Sequence, residues 1–194
     1  MSESRLFGAG GGSIGAPMNT SFPCLLTVAL LLALPAAAET KKPAVPAHPA
    51  AAASGPKKIG DFGDWTAATH GESGQTVCYA FTRAQSSSPA LPGRGAVVLT
   101  VTERSSGRDA VAIEAGLSYA ANATVTVQVD QTGLEFYTAG RNAFARDGKV
   151  AVSSFGKGSR AIARSPGSKD VTDTFSLKGF GAAYAAIVKA CPAK

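Results

Sequence analysis

The chain has 194 residues, 45% of them hydrophobic, with 19 Lys and Arg against 13 Asp and Glu and a net charge of +6. Only two His and three scattered Cys are present, which excludes a chain built around clustered metal ligands. A basic balance favours anionic partners, with ordinary solvated surface charge as the plainer account of most of these residues.

The N-terminal part is dominated by an apolar run from Leu25 to Leu34, followed by Pro35 and by small residues at Ala36 and Ala38. That is the pattern of a secretory signal peptide over residues 1–38, cut between Ala38 and Glu39. The run falls short of the roughly 20 apolar residues that a bilayer requires. The region before it holds only Glu3 and Arg5, and Met18 is an alternative start that leaves the same apolar core. An uncleaved membrane anchor is the competing reading. Residues 39–58 then read as a tether, with Pro43, Pro46, Pro49 and Pro56 set among Ala and with Lys pairs at 41–42 and 57–58. Residues 59–194 remain for one folded domain, long enough to enclose a core.

That domain opens at Phe62-Gly-Asp-Trp-Thr66 and continues in period-two segments that predict half-buried strands. In 76–82, Val77, Tyr79 and Phe81 share one face and Cys78 takes the other. Residues 97–103 and 111–115 alternate likewise, and 124–129 turns through Asp130-Gln-Thr-Gly133 into 134–138. Gly133 is expected in the left-handed position of that turn. Residues 159–165 and 171–177 flank Pro166-Gly167-Ser168 as a last pair. About eight antiparallel strands of this kind predict a mainly β domain, sandwich- or barrel-like. Phe180, Tyr184, Ile187, Val188 and Cys191 then recur at three- and four-residue steps, predicting a C-terminal amphipathic helix.

Removal of the leader takes Cys24 with it and leaves Cys78 and Cys191. In an oxidising compartment two cysteines predict one disulfide, closing a loop of 191 − 78 = 113 residues. Two free buried thiols are the alternative; a zinc site lacks nearby His.

Catalytic patterns are sparse. Ser154-Phe-Gly-Lys157 has the serine-x-x-lysine spacing of penicillin-recognising enzymes, without the companion motifs. His48 lies in the tether and His70 in a Gly- and Ser-rich turn, so neither completes a serine triad. Gly156-Lys157-Gly158 lacks the flanking residues of a phosphate loop. Trp65 reads as a core anchor. The basic stretch stands out more: Arg146, Lys149, Lys157, Arg160, Arg164 and Lys169 against the single Asp147. Glycines at 148, 156, 158 and 167 make part of it loop-like, and Arg forks suit carboxylate and phosphate groups. These six residues are the candidate anionic-surface site. Nucleic acid does not fit, since no stacked aromatics accompany them.

Several residue groups, taken in order, resemble the invasion-associated locus B family of bacterial envelope proteins. They are Phe62-Gly-Asp-Trp65, Val77-Cys78-Tyr79, Arg108-Asp109-Ala-Val-Ala-Ile113, Ala145-Arg146-Asp147, Thr172-Asp-Thr-Phe-Ser-Leu-Lys-Gly179, Ala183-Tyr184 and a terminal helical Cys191. The resemblance spans about residues 60–192. It implies an exported protein, periplasmic or at the outer surface, linked to host-cell entry, with no catalytic residues to carry over. Many relatives have a cysteine shortly after the Trp; Thr69 and His70 stand there in this chain, so a two-disulfide arrangement does not carry over.

The combined expectation is an exported, non-enzymatic interaction module without metal or cofactor and without a membrane span in the mature chain. Its partner would be an envelope or host protein or an anionic surface. The alternative is a periplasmic carrier or chaperone for an apolar ligand or peptide. The sequence sets no oligomeric state.

Overall fold

The computed structural model describes residues 55–167 and 170–193. The leader, its cleavage point, the tether up to residue 54 and Lys169 lie outside the described residues. The elements, in order, are β1 (Lys57–Phe62), β2 (Trp65–Glu72), β3 (Gln75–Arg83), β4 (Ser86–Ser88), β5 (Val98–Arg104), β6 (Gly107–Glu114), β7 (Thr124–Val129), β8 (Thr132–Ala139), β9 (Asn142–Ala145), α1 (Gly148–Lys157), β10 (Arg160–Ser165), β11 (Val171–Ser176) and α2 (Phe180–Ala190).

All eleven strands join one antiparallel sheet in the order β1-β2-β3-β5-β6-β9-β8-β7-β10-β11-β4. The sheet is open, but only Ala84 and Gln85 separate β3 from β4. Ala84 N–H donates to Val97 O and Gln85 N–H to Thr174 O, so the chain leaves β5 and joins β11 within two residues. The sheet thereby curls round on itself. The fold is mainly β and barrel-like with a C-terminal helix, as the alternation predicts, with eleven strands rather than about eight. The strands without a named counterpart among the predicted segments are β1, β2, β4 and β9, and β1 takes in Lys57 and Lys58, the last residues read as tether.

The concave side of the sheet holds the core. Trp65, Leu99, Ile113, Phe136, Phe155, Phe175, Phe180 and Ile187 are all almost fully buried there. Each such side chain contributes roughly 2 kcal/mol by leaving water. Trp65 is the anchor that its sequence context suggests. Its ring meets Phe180 edge-on at 4.9 Å, and its Nε1 donates to Ser176 O at 3.0 Å. The β1–β2 turn is thereby locked to the start of α2. Gly179 has φ +90°, and a Cβ there would lie 1.9 Å from Phe62 O. Only glycine supplies both the left-handed backbone and the close approach.

The hairpin joining β7 to β8 differs from expectation. Val129 pairs with Thr132, and Asp130, not Gly133, carries the positive φ of 49°. The loop has two residues, so the left-handed position falls directly after β7, where Asp is tolerated.

α1 is a larger correction, because residues 148–157 of the basic stretch read as partly loop-like are helical. Asp147 caps it, its carboxylate accepting from Val150 N–H at 2.9 Å, and Ala151, Val152 and Phe155 face the core. Gly148 is there for contact: a Cβ would fall 1.8 Å from Asp109 O. α1 and α2 pack against one another and against neighbouring strands, closing one end of the curled sheet. The loops β4–β5, β6–β7 and β10–β11 gather at the other end.

Candidate functional site

At the loop end, Arg94 in the β4–β5 loop is the organising residue. Its Nη1 and Nη2 donate to the two oxygens of Asp173 on β11, each at 2.8 Å, and its Nε donates to Ala115 O at 2.7 Å. Ser87 on β4 donates a further bond to Asp173 at 2.6 Å. The side chains are only 6% and 1% exposed, so this pair is buried and answered by hydrogen bonds on both sides. Gly95 N–H donates to Gly116 O at 3.1 Å, tying the β4–β5 and β6–β7 loops together.

Beneath these loops lies a cavity of about 310 Å³. Leu91, Leu117, Ala120, Pro166 and Val171 supply apolar wall, and Arg94, Tyr119 and Ser165 supply polar wall. The hydroxyl oxygens of Tyr119 and Ser165 are both buried without a hydrogen-bond partner. They stand near enough to interact, yet outside hydrogen-bonding geometry, and burial pushes the Tyr119 phenol above its ordinary value.

The helix end holds a second buried polar group. Cys78 on β3 pairs in register with Glu103 on β5, and Cys78 is bonded to Cys191 just beyond α2, with Cα atoms 5.9 Å apart. Glu103 is fully buried beside this bond. Its Oε1 accepts from Asp109 N–H at 3.2 Å, and Arg108 Nε lies 2.5 Å from Oε2. That approach to Oε2 lacks hydrogen-bonding geometry, so Arg108 acts on it as a nearby charge more than as a donor. Arg108 Nη1 also donates to Cys191 O, and Tyr184 OH donates to Asp109 Oδ1, both at 2.5 Å. Burial and the bond to Asp109 raise the Tyr184 phenol. The Arg108-Asp109 pair and Tyr184, all among the resemblance residues, thus meet at one junction.

Burial pushes Glu103 up to about 7, with the Asp109 N–H bond and then the Arg108 charge only partly offsetting it. A folded value above the unfolded 4.5 means that the folded state holds the proton more tightly. This contribution is complete below pH 4.5 and is lost as pH rises through 7. Wild type should therefore lose at most about 3 kcal/mol relative to Glu103→Gln between those limits. Urea midpoints for the two proteins at several pH values read the difference; parallel profiles would refute the assignment.

The predicted anionic-surface residues are only partly brought together. Arg160 and Arg164 share the exposed face of β10, while Lys149 and Lys157 sit on α1. Arg146 lies 3.5 Å from Glu135 of β8, an exposed pair, and Lys169 is outside the described residues. The serine-x-x-lysine pattern falls on α1, where Ser154 Oγ donates to Val150 O at 2.9 Å, an ordinary helical back-bond. His70 meets Tyr79 edge-on at 5.4 Å on the convex face. Among the described residues no three His, Cys, Asp or Glu come together as metal ligands, and no helix is long and apolar enough to cross a membrane. Sequence reasoning missed Arg94, Tyr119 and Ser165. Asp173, which no sequence pattern marks as a site residue, is buried and hydrogen-bonded on β11.

Fold and site together define a disulfide-closed, barrel-like β domain sealed by helices at one end and by pinned loops at the other. The family described as "Invasion associated locus B (IalB) protein" matches residues 65–188, and the chain belongs to it. A crystal structure of invasion associated protein b from Bartonella henselae has the same fold, with a TM-score of 0.51 at 18% identity over 68% of this chain and 95% of that one. No curated protein matches the chain.

Proposed function

We propose that this protein is exported and works in the bacterial envelope, in the periplasm or at the outer surface, as a non-enzymatic interaction module with a role in host-cell invasion. Export is supported by the apolar leader pattern and by a long-range disulfide, a bond that persists in oxidising compartments. The observation that carries the interaction reading is the convex face of β8, β7 and β10. Tyr137 is 46% exposed there, with Phe144 of β9 at 5.5 Å. In the ladder Tyr137 pairs with Thr124 and Arg164 with Thr126, which sets Tyr137 and Arg164 roughly 12 Å apart on one face. Arg160 continues the row along β10. Tyr and Arg are the side chains that most often dominate protein–protein binding energy.

Reversing Arg160→Glu and Arg164→Glu together should weaken recovery of the partner after envelope crosslinking by about 10-fold or more, with folding intact. Undiminished envelope and host-cell association of that double variant would overturn the reading.

A further inference from the structure

The cavity at the loop end has a chemistry of its own. Its volume of about 310 Å³ lies at the small end of ligand sites. At ~30 Å³ per water-sized volume, it admits a molecule of roughly ten non-hydrogen atoms. The wall is mainly apolar side chain, and the β4–β5 and β6–β7 loops that supply most of it are tied to each other. Ala115 N–H and Tyr119 N–H donate to Arg141 O and Gly140 O, both at 2.9 Å, so the β6–β7 loop is held from behind. A site fixed in this way loses little freedom when it is filled.

The polar groups decide what could fill it. Arg94 is the charged residue in the wall, and Asp173 cancels that charge bidentately from behind, so the cavity has no net charge to offer an ion. What it does offer is two buried hydroxyls without partners, Tyr119 and Ser165, and Ser165 is only 6% exposed. Each can donate one bond and accept others, and a buried hydroxyl left unbonded is costly. A carbonyl, amide or hydroxyl group placed between them would satisfy both. A carboxylate or ammonium would lose its water with no opposite charge to replace it.

We propose that this cavity is a binding site for a compact, neutral, largely apolar molecule with one hydroxyl or amide head, the head held by Tyr119 and Ser165. The site is separate from the convex face of β10, so it stands or falls independently of the docking reading.

The test uses heptanamide, heptanoate and propanamide, titrated into the purified, isotope-labelled mature protein and followed by backbone amide shifts. Heptanamide should bind with Kd on the order of 0.1–1 mM, shifting amides near Leu117, Tyr119 and Ser165. Heptanoate should bind at least about 10-fold more weakly, because its charge must be desolvated. Propanamide, with less tail to bury, should also weaken by about 10-fold or more. Tyr119→Phe and Ser165→Ala each remove one hydroxyl with little change of shape, and should each weaken heptanamide by roughly 2–10-fold with folding unchanged. The proposal is overturned by any of three results: no saturable shift at these loops, equal affinity for the amide and the carboxylate, or full affinity in both hydroxyl variants. Loss of binding through misfolding is separated from loss of the head contact by the amide spectrum of the unliganded variants.

Discussion

Replacing Arg94 with Met should destabilise the protein by about 3–5 kcal/mol. The reason is the partner left behind. Asp173 is 1% exposed, and Ser87 alone would remain to answer its carboxylate. The ion pair itself is worth much less than this figure, because both charges were taken from water to form it. A double variant, Arg94→Met with Asp173→Leu, should therefore recover most of the loss. Chemical denaturation of the two single variants and the double variant gives the coupling directly. A cost below about 1 kcal/mol for Arg94→Met would show that Asp173 is better solvated than the structure has it. Because Arg94 also holds Ala115 O, the same variant should loosen the loops around the cavity.

The second large effect belongs to Cys78 and Cys191. Replacing both with Ser should cost about 2–5 kcal/mol, since the bond closes a loop of 113 residues and restricts the unfolded chain. The loss should appear equally on reduction of the wild-type protein, measured as a drop in denaturant midpoint. Under denaturing, non-reducing conditions neither cysteine should take up an alkylating reagent. Alkylation of both would remove the staple from the description, and with it one support for export.

The sequence was most legible where burial follows a simple period. β5, β7, β10 and β11 alternate between buried and more exposed positions because one face meets the core, β3 does so within an apolar run, and α2 repeats at helical spacing for the same reason. β1 was missed because it is mostly exposed on both faces, so nothing selects an alternating pattern. β4 is three serines, recruited by Asp173 and Thr174 opposite it. α1 hid behind two glycines and two valines, all poor helix formers. Its formation depends on the Asp147 cap and on contacts with distant residues, Asp109 among them. The site was less legible than the fold. Arg94 and Asp173 are 79 residues apart, and neither is flanked by anything that announces the other. Tyr119 and Ser165 acquire meaning only from a cavity that three separate loops create. The basic stretch was visible as composition, yet the strand and helix that divide it send its charges to different parts of the surface.

The Cys78–Cys191 bond has a consequence for biogenesis. Side chains on a strand alternate in direction, so a slip of one residue in β3 would swing Cys78 to the convex face, away from Cys191. Sulfurs whose Cα atoms exceed about 7 Å cannot be joined without moving backbone, whereas here the separation is 5.9 Å. An oxidase would thus seal only those molecules whose early hairpin and closing helix had already docked correctly. In an oxidising compartment, bond formation would thus favour correctly paired chains and leave mispaired ones with free thiols.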